Sequence, residues 1–186
     1  QTGGSADGSS PHEQDLSGAE LNTGAHNTIT LTDNPTLEDG AIYSIAFDAT
    51  DAAGNAATTV TNTGVTYDVT APTISSTAPA QDASIKDTKV SYTLSEAVAS
   101  GTVTFTRTGG SVDGSSPHEQ DLSGDELNTG AHNNITLTDN PTLVDGAIYS
   151  IAFDATDAAG NDATTVTSTG VTYDVTAPTI SSTAPA

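Results

Sequence analysis

"SIAFDATDAAGN" occupies residues 150–161, and the same twelve letters stand at 44–55. The first half alternates apolar and polar side chains, with Ile151 and Phe153 sharing one parity, as expected of a strand buried on one face. Asp154 is expected to face water. The second half, "DAAGN", carries an aspartate, a glycine and an asparagine and has two readings. It forms a hairpin turn if Gly160 takes a positive φ and an Asp or Asn side chain bonds its own backbone. It forms part of a cation site if other oxygen ligands meet it. The two readings do not exclude each other, and the stretch by itself leaves both open.

The duplication extends far beyond these twelve residues. Shifting the chain by 106 positions lays residues 1–80 on 107–186 with seven differences: Gln1/Arg107, Ala6/Val112, Ala19/Asp125, Thr28/Asn134, Glu38/Val144, Ala56/Asp162 and Asn62/Ser168. A period of about 100 residues is the size of a domain rather than of a solenoid turn, so each unit is expected to hold its own core. Residues 81–106 occur once. The expected organisation is therefore a copy lacking its N-terminal part at 1–70, a complete unit at 71–176 and the start of a further unit at 177–186.

Within the complete unit, strand signals follow one another. "KVSYTLS" (89–95) and "GTVTFTRT" (101–108) alternate, and "NITLT" (134–138), "AIYSIAFDAT" (147–156) and "GVTYDV" (170–175) continue the pattern. Threonine, valine, isoleucine and tyrosine suit a pleated, half-buried surface. Turn clusters "GGSVDGSSP", "TDNP", "VDG" and "AAGN" separate the runs, and only "DLSGDELNTG" has room for a turn or two of helix. Roughly seven strands in about 100 residues predict an all-β fold: immunoglobulin-like antiparallel β-sandwich domains in tandem, joined end to end.

Composition removes whole classes of function. A net charge of −21, with Lys86, Lys89 and Arg107 as the fixed cations, cannot neutralise phosphates, so no nucleic-acid partner is expected. No apolar run is long enough to cross a bilayer as a helix, and no membrane insertion is expected. No signal peptide is recognisable, as in a piece of a longer protein. There is no cysteine, hence neither a disulfide framework nor thiolate chemistry. So acidic a chain attracts divalent counter-ions.

The ordered set "YDVTAPTISSTAP", "VSYTLSEAV" and "YSIAFDATDAAGN" resembles the bacterial Ig-like repeats of giant biofilm adhesins, including the extender regions of RTX adhesins. The resemblance covers the whole unit and both copies. It implies an extracellular spacer on a bacterial cell surface, a monomer whose partners are neighbouring repeats, with calcium stiffening the joints. The nonapeptide glycine-aspartate repeats of a whole RTX adhesin are not present in these residues.

Strand order places the opening stretch. In a seven-strand sandwich the second-to-third and sixth-to-seventh connections return to the pole where the chain enters, and these are "SEAVASG" and "DAAGN". Glu96, Asp157 and Asn161 are then expected beside the entering segment "TYDVTAP", which carries Asp68. Hard oxygen ligands from three separated segments suit calcium, and Asp68, Glu96, Asp157 and Asn161 are the expected Ca2+ ligands. Their spacing is not that of an EF-hand loop. A second acidic group, Asp139, Asp145 and Asp174, with counterparts Asp33, Asp39 and Asp68, is expected at the opposite pole, mostly as solvated loop carboxylates.

Catalysis has no constellation to support it: no nucleophile elbow surrounds a serine, and no pair of histidines has metal-ligand spacing. His12, His26, His118 and His132 are expected at the surface, and no enzyme activity is expected. The alternative from another class is an adhesin module that binds carbohydrate or a host protein. Such loops offer aromatic platforms, whereas this chain has no tryptophan and its five tyrosines fall in strand runs.

Overall fold

The computed structural model describes residues 1–181, so the last five residues of the expected further unit, 182–186, lie outside the described residues. The chain divides into two compact units, Gln1–Thr70 and Ala71–Ala186. The first holds one antiparallel sheet of β1 (Gly3–Gly4), β2 (Ala41–Phe47) and β3 (Val60–Thr66), in that order. The second holds β4 (Ile74–Ala78), β5 (Ser84–Ile85), β6 (Val90–Leu94), β7 (Ser100–Gly110), β8 (His118–Asp121), β9 (Gly130–Ile135), β10 (Ala147–Thr156) and β11 (Val166–Tyr173). Its sheets run β5-β11-β10-β7-β8 and β4-β6-β9.

β10 shows why this unit is a sandwich. Ala147, Tyr149, Ile151, Phe153 and Ala155 are buried, while the residues between them are half-buried. Val90, Tyr92 and Leu94 of β6 repeat that alternation in the opposing sheet. The two sheets meet there, with the rings of Tyr92 and Phe153 6.2 Å apart. Val103 and Phe105 of β7 lie in register with Phe153 and Ile151 and close the same layer. Burying each of these large side chains contributes about 1.5–3 kcal/mol, so the core rests on period-two patterning.

The all-β sandwich expectation holds, with one local exception to antiparallel pairing. β4 pairs with β6 in one sheet, then the chain crosses to the other sheet, where β5 runs parallel to β11. Pro79 supplies no ladder N–H, and Asp82 turns the chain with φ 59°, so the entering edge switches sheets between them. β9 begins at Gly130, ahead of the expected run, because pairing with β6 fixes its register over the weak strand formers His132 and Asn133. "HEQD" forms β8 against β7. The short helical turn is a 3-10 segment at Gly124–Leu127 with a Ser123/Glu126 capping box.

Candidate metal centre

Two connections of the second unit meet at one pole, as strand order requires. The loop after β6 and the end of β10 are joined by Ala99 N–H donating to Thr156 O at 2.9 Å. Val98 anchors the same loop: it is buried, and its N–H reaches Leu127 O at 3.0 Å. The entering chain lies against it too, since Thr73 N–H donates to Ser95 Oγ at 2.8 Å and Ser95 N–H to Thr73 O at 3.1 Å. Glu96, which follows Ser95, is half-buried.

Asp157 continues the inward parity of β10 beyond the strand and is 3 % exposed. Its Oδ1 accepts the N–H groups of Ala159, Gly160 and Asn161, each at 2.8 Å, and its Oδ2 accepts Asn161 Nδ2 at 2.8 Å. Gly160 takes φ +94°, as the turn reading requires. "DAAGN" is therefore an aspartate-centred turn. Burial pushes the Asp157 carboxyl up, but the bonds from Asn161, Ala159 and Gly160 outweigh it and hold the pKa below the usual range. The carboxylate stays ionised, as a cation ligand must be.

Of the expected ligands, Asp157 and Asn161 are thus bonded to each other, and an oxygen of Glu96 lies within 4.8 Å of one of Asp157. Two oxygens that each sit about 2.4 Å from one calcium ion are separated by at most about 4.8 Å, so the pair fits across such an ion. Asp68 closes the first unit, where it is half-buried and its Oδ1 accepts Thr70 N–H at 3.0 Å. In the first unit Asp51 and Asn55 build the same turn in an exposed setting, so its geometry is set locally. Asp154 accepts a bond from Thr165, the residue before β11.

A family model described as a bacterial Ig-like domain matches residues 68–173. The chain belongs to the bacterial Ig-like domain family. The matched span runs from Asp68 through Glu96, Asp157 and Asn161. No curated protein and no solved structure matches the chain. Bacterial Ig-like domains are in general structural modules rather than enzymes and commonly occur in surface proteins. Among the described residues no helix is long and apolar enough to cross a membrane.

Other carboxylates of the Ig-like domain serve the fold. Asp145 accepts Val175 N–H and Thr176 Oγ1–H at 2.8 and 2.7 Å, clasping the exit segment, and these bonds lower its pKa. Asp174 accepts Thr176 N–H at 2.9 Å, whereas Asp139 is exposed. Glu126 is buried and bridges two loops, with Oε1 on Thr138 and Oε2 on Ser123.

His12, His118 and His132 are half-buried rather than at the surface as expected, while His26 is exposed as expected. His118 Nε2 lies 2.7 Å from Asp113 Oδ2, and Tyr149 Oη donates to that oxygen at 2.7 Å while accepting Val144 N–H at 3.0 Å. His132 stacks on buried Tyr92, with the rings 4.7 Å apart. The bonds from His118 and then Tyr149 lower the Asp113 pKa to about 2. The first unit repeats the network as His12, Asp7 and Tyr43. Its sequence signal was the aspartate five residues before each "HEQD", which gains meaning only when the tyrosine two strands away is in place.

Proposed function

We propose that this chain is an extender module of a bacterial surface adhesin, a spacer that projects a distal binding region, with calcium rigidifying its joints. The observation that carries this reading is the Glu96 and Asp157 carboxylate pair, held at the entry pole of an Ig-like domain whose residues 107–176 the sequence repeats almost unchanged at 1–70. Asp68, on the segment that leads into that pole, and Asn161 complete the proposed ligand set. Calcium would neutralise carboxylates that otherwise repel, and a shared ion would restrict the hinge. Neighbouring repeats of the same chain are the proposed partners, and the location is extracellular. A surface cavity of about 390 Å3 has Asp121, Asp154 and Leu122 among its lining residues and no aromatic ring, so it offers the carbohydrate-binding alternative no platform there.

The test is calorimetry with calcium on the parent, Asp68→Ala, Glu96→Ala and Asp157→Asn, the last chosen to retain the turn acceptor. Each should bind calcium at least tenfold more weakly, while Asp121→Ala should bind as the parent does. Small-angle scattering should give a larger maximum dimension in calcium than in chelator. Equal binding by all four variants, or an unchanged dimension, would sink the calcium-joint reading.

A further inference from the structure

The loop that carries Glu96 is held on both sides by one short segment of the same domain. Before Glu96, Thr129 Oγ1–H donates to Ser95 O at 3.1 Å and to Leu94 O at 3.4 Å. After it, Val98 N–H donates to Leu127 O at 3.0 Å, and the Val98 side chain is buried in the core. The segment also reaches the adjoining strand, for Tyr92 Oη donates to Glu126 O at 2.8 Å. Ala99 N–H then ties the loop to Thr156 O, one residue before Asp157. Leu94, Ser95, Val98 and Ala99 thus have their backbone fixed, and Glu96 and Ala97 form the apex between them.

The holding segment keeps its shape through its own side chains. Glu126 Oε2 accepts Ser123 N–H at 2.8 Å and Ser123 Oγ–H at 3.4 Å, and its Oε1 accepts Thr138 N–H and Oγ1–H at 2.6 and 3.0 Å. These bonds close the 3-10 turn and tie it to the chain beyond β9. Glu20 of the first unit makes the corresponding bonds to Ser17 and Thr32, so the turn is built by these residues wherever they stand. With each oxygen accepting two donors, Glu126 serves as a brace rather than as a cation ligand.

We propose that residues 126–129 are the positioning element of the calcium site: Thr129 and Leu127 fix where Glu96 stands relative to Asp157, and Glu126 braces them. The proposal rests on the calcium-joint reading and says which residues set the affinity without touching the ion. A carboxylate already held near its binding position gives up less freedom when it binds. Removing an outer support of this kind weakens a metal site by about 10- to 100-fold. By linkage, calcium in turn tightens the bonds that hold the loop.

The test titrates calcium by calorimetry into the parent chain, Glu96→Gln, Thr129→Val, Thr129→Ser and Thr108→Val, whose hydroxyl bonds Ile148 O at the other end of β10. Thr129→Val should bind about tenfold more weakly. Thr129→Ser and Thr108→Val should bind as the parent does. In the Glu96→Gln chain, adding Thr129→Val should change the affinity by less than about twofold, because the carboxylate it positions is gone. Exchange of the Val98 amide should slow in calcium for the parent and for Thr129→Ser. A hydroxyl that merely stabilises the fold would lower the calcium-free unfolding midpoint and leave the affinity unchanged, and that result overturns the proposal. So does a Thr129→Val effect of equal size with and without Glu96. A parent that binds no calcium removes the calcium-joint reading and this proposal together. A parent that loses affinity through Glu96→Gln but not through Thr129→Val overturns the positioning role alone.

Discussion

Asp113 is a buried carboxylate kept charged by its neighbours, and its acid response follows from them. Its pKa of about 2 lies below the ordinary 3.8, so its contribution to stability is present above about pH 4 and fades as pH falls towards 2. Replacing Tyr149 by Phe removes a donor from Asp113 and an acceptor from Val144 N–H without changing the packed ring. At neutral pH the variant should lose about 1–3 kcal/mol in urea unfolding, the usual cost of leaving buried partners unmade. The gap between parent and variant should shrink as the pH approaches 2. A difference that does not vary with pH would mean that the phenol only fills space. Gly110 is constrained in another way: at φ +65° an added Cβ would stand 2.1 Å from Gly146 O, so this position admits no side chain.

At the level of the element, the repeat provides a natural comparison. Phe153→Ala should cost about 3–5 kcal/mol, the range for emptying a packed aromatic site. Phe47→Ala, at the same place in the other copy, should stay within about 0.5 kcal/mol, because its ring is already half in water. Calorimetric melting of the two variants checks both values, and similar losses would mean that the first unit closes over Phe47 in solution. The same pair explains what was legible in the sequence. β10 could be read from its own letters because alternation and β-branched residues agree there with the buried face. The strand "HEQD" could not, since it forms against β7 at 118–121 while the identical letters at 12–15, which have no equivalent partner strand, form none. "DAAGN" was legible as a turn, since Asp51 builds it in an exposed setting, but the burial of Asp157 depends on the surrounding sandwich. The Asp113 network was hidden because Tyr149 comes from a segment far from Asp113 and His118, and each part is unremarkable alone.

For the molecule as a whole, a charge of −21 makes cations part of its energetics. An ion that binds the folded chain and not the unfolded one stabilises it by RT ln(1 + [L]/Kd), about 2.7 kcal/mol at a hundredfold excess over Kd. The melting temperature should rise with calcium more than with sodium chloride at matched ionic strength, and a calcium titration as flat as the salt control would count against a specific site. The parallel pairing of β5 with β11 bears on a different question, how the domain responds when its two ends are pulled apart. β5 lies near the entering end and β11 near the leaving end, joined by Asp82 N–H to Thr169 O, Thr172 N–H to Ala83 O and Asp174 N–H to Ile85 O. Because the two strands run the same way, tension drawn through the termini slides one along the other instead of peeling them apart. The three bonds then bear the load simultaneously in shear, and the Ig-like domain opposes extension with the edge at which its own chain changes sheets.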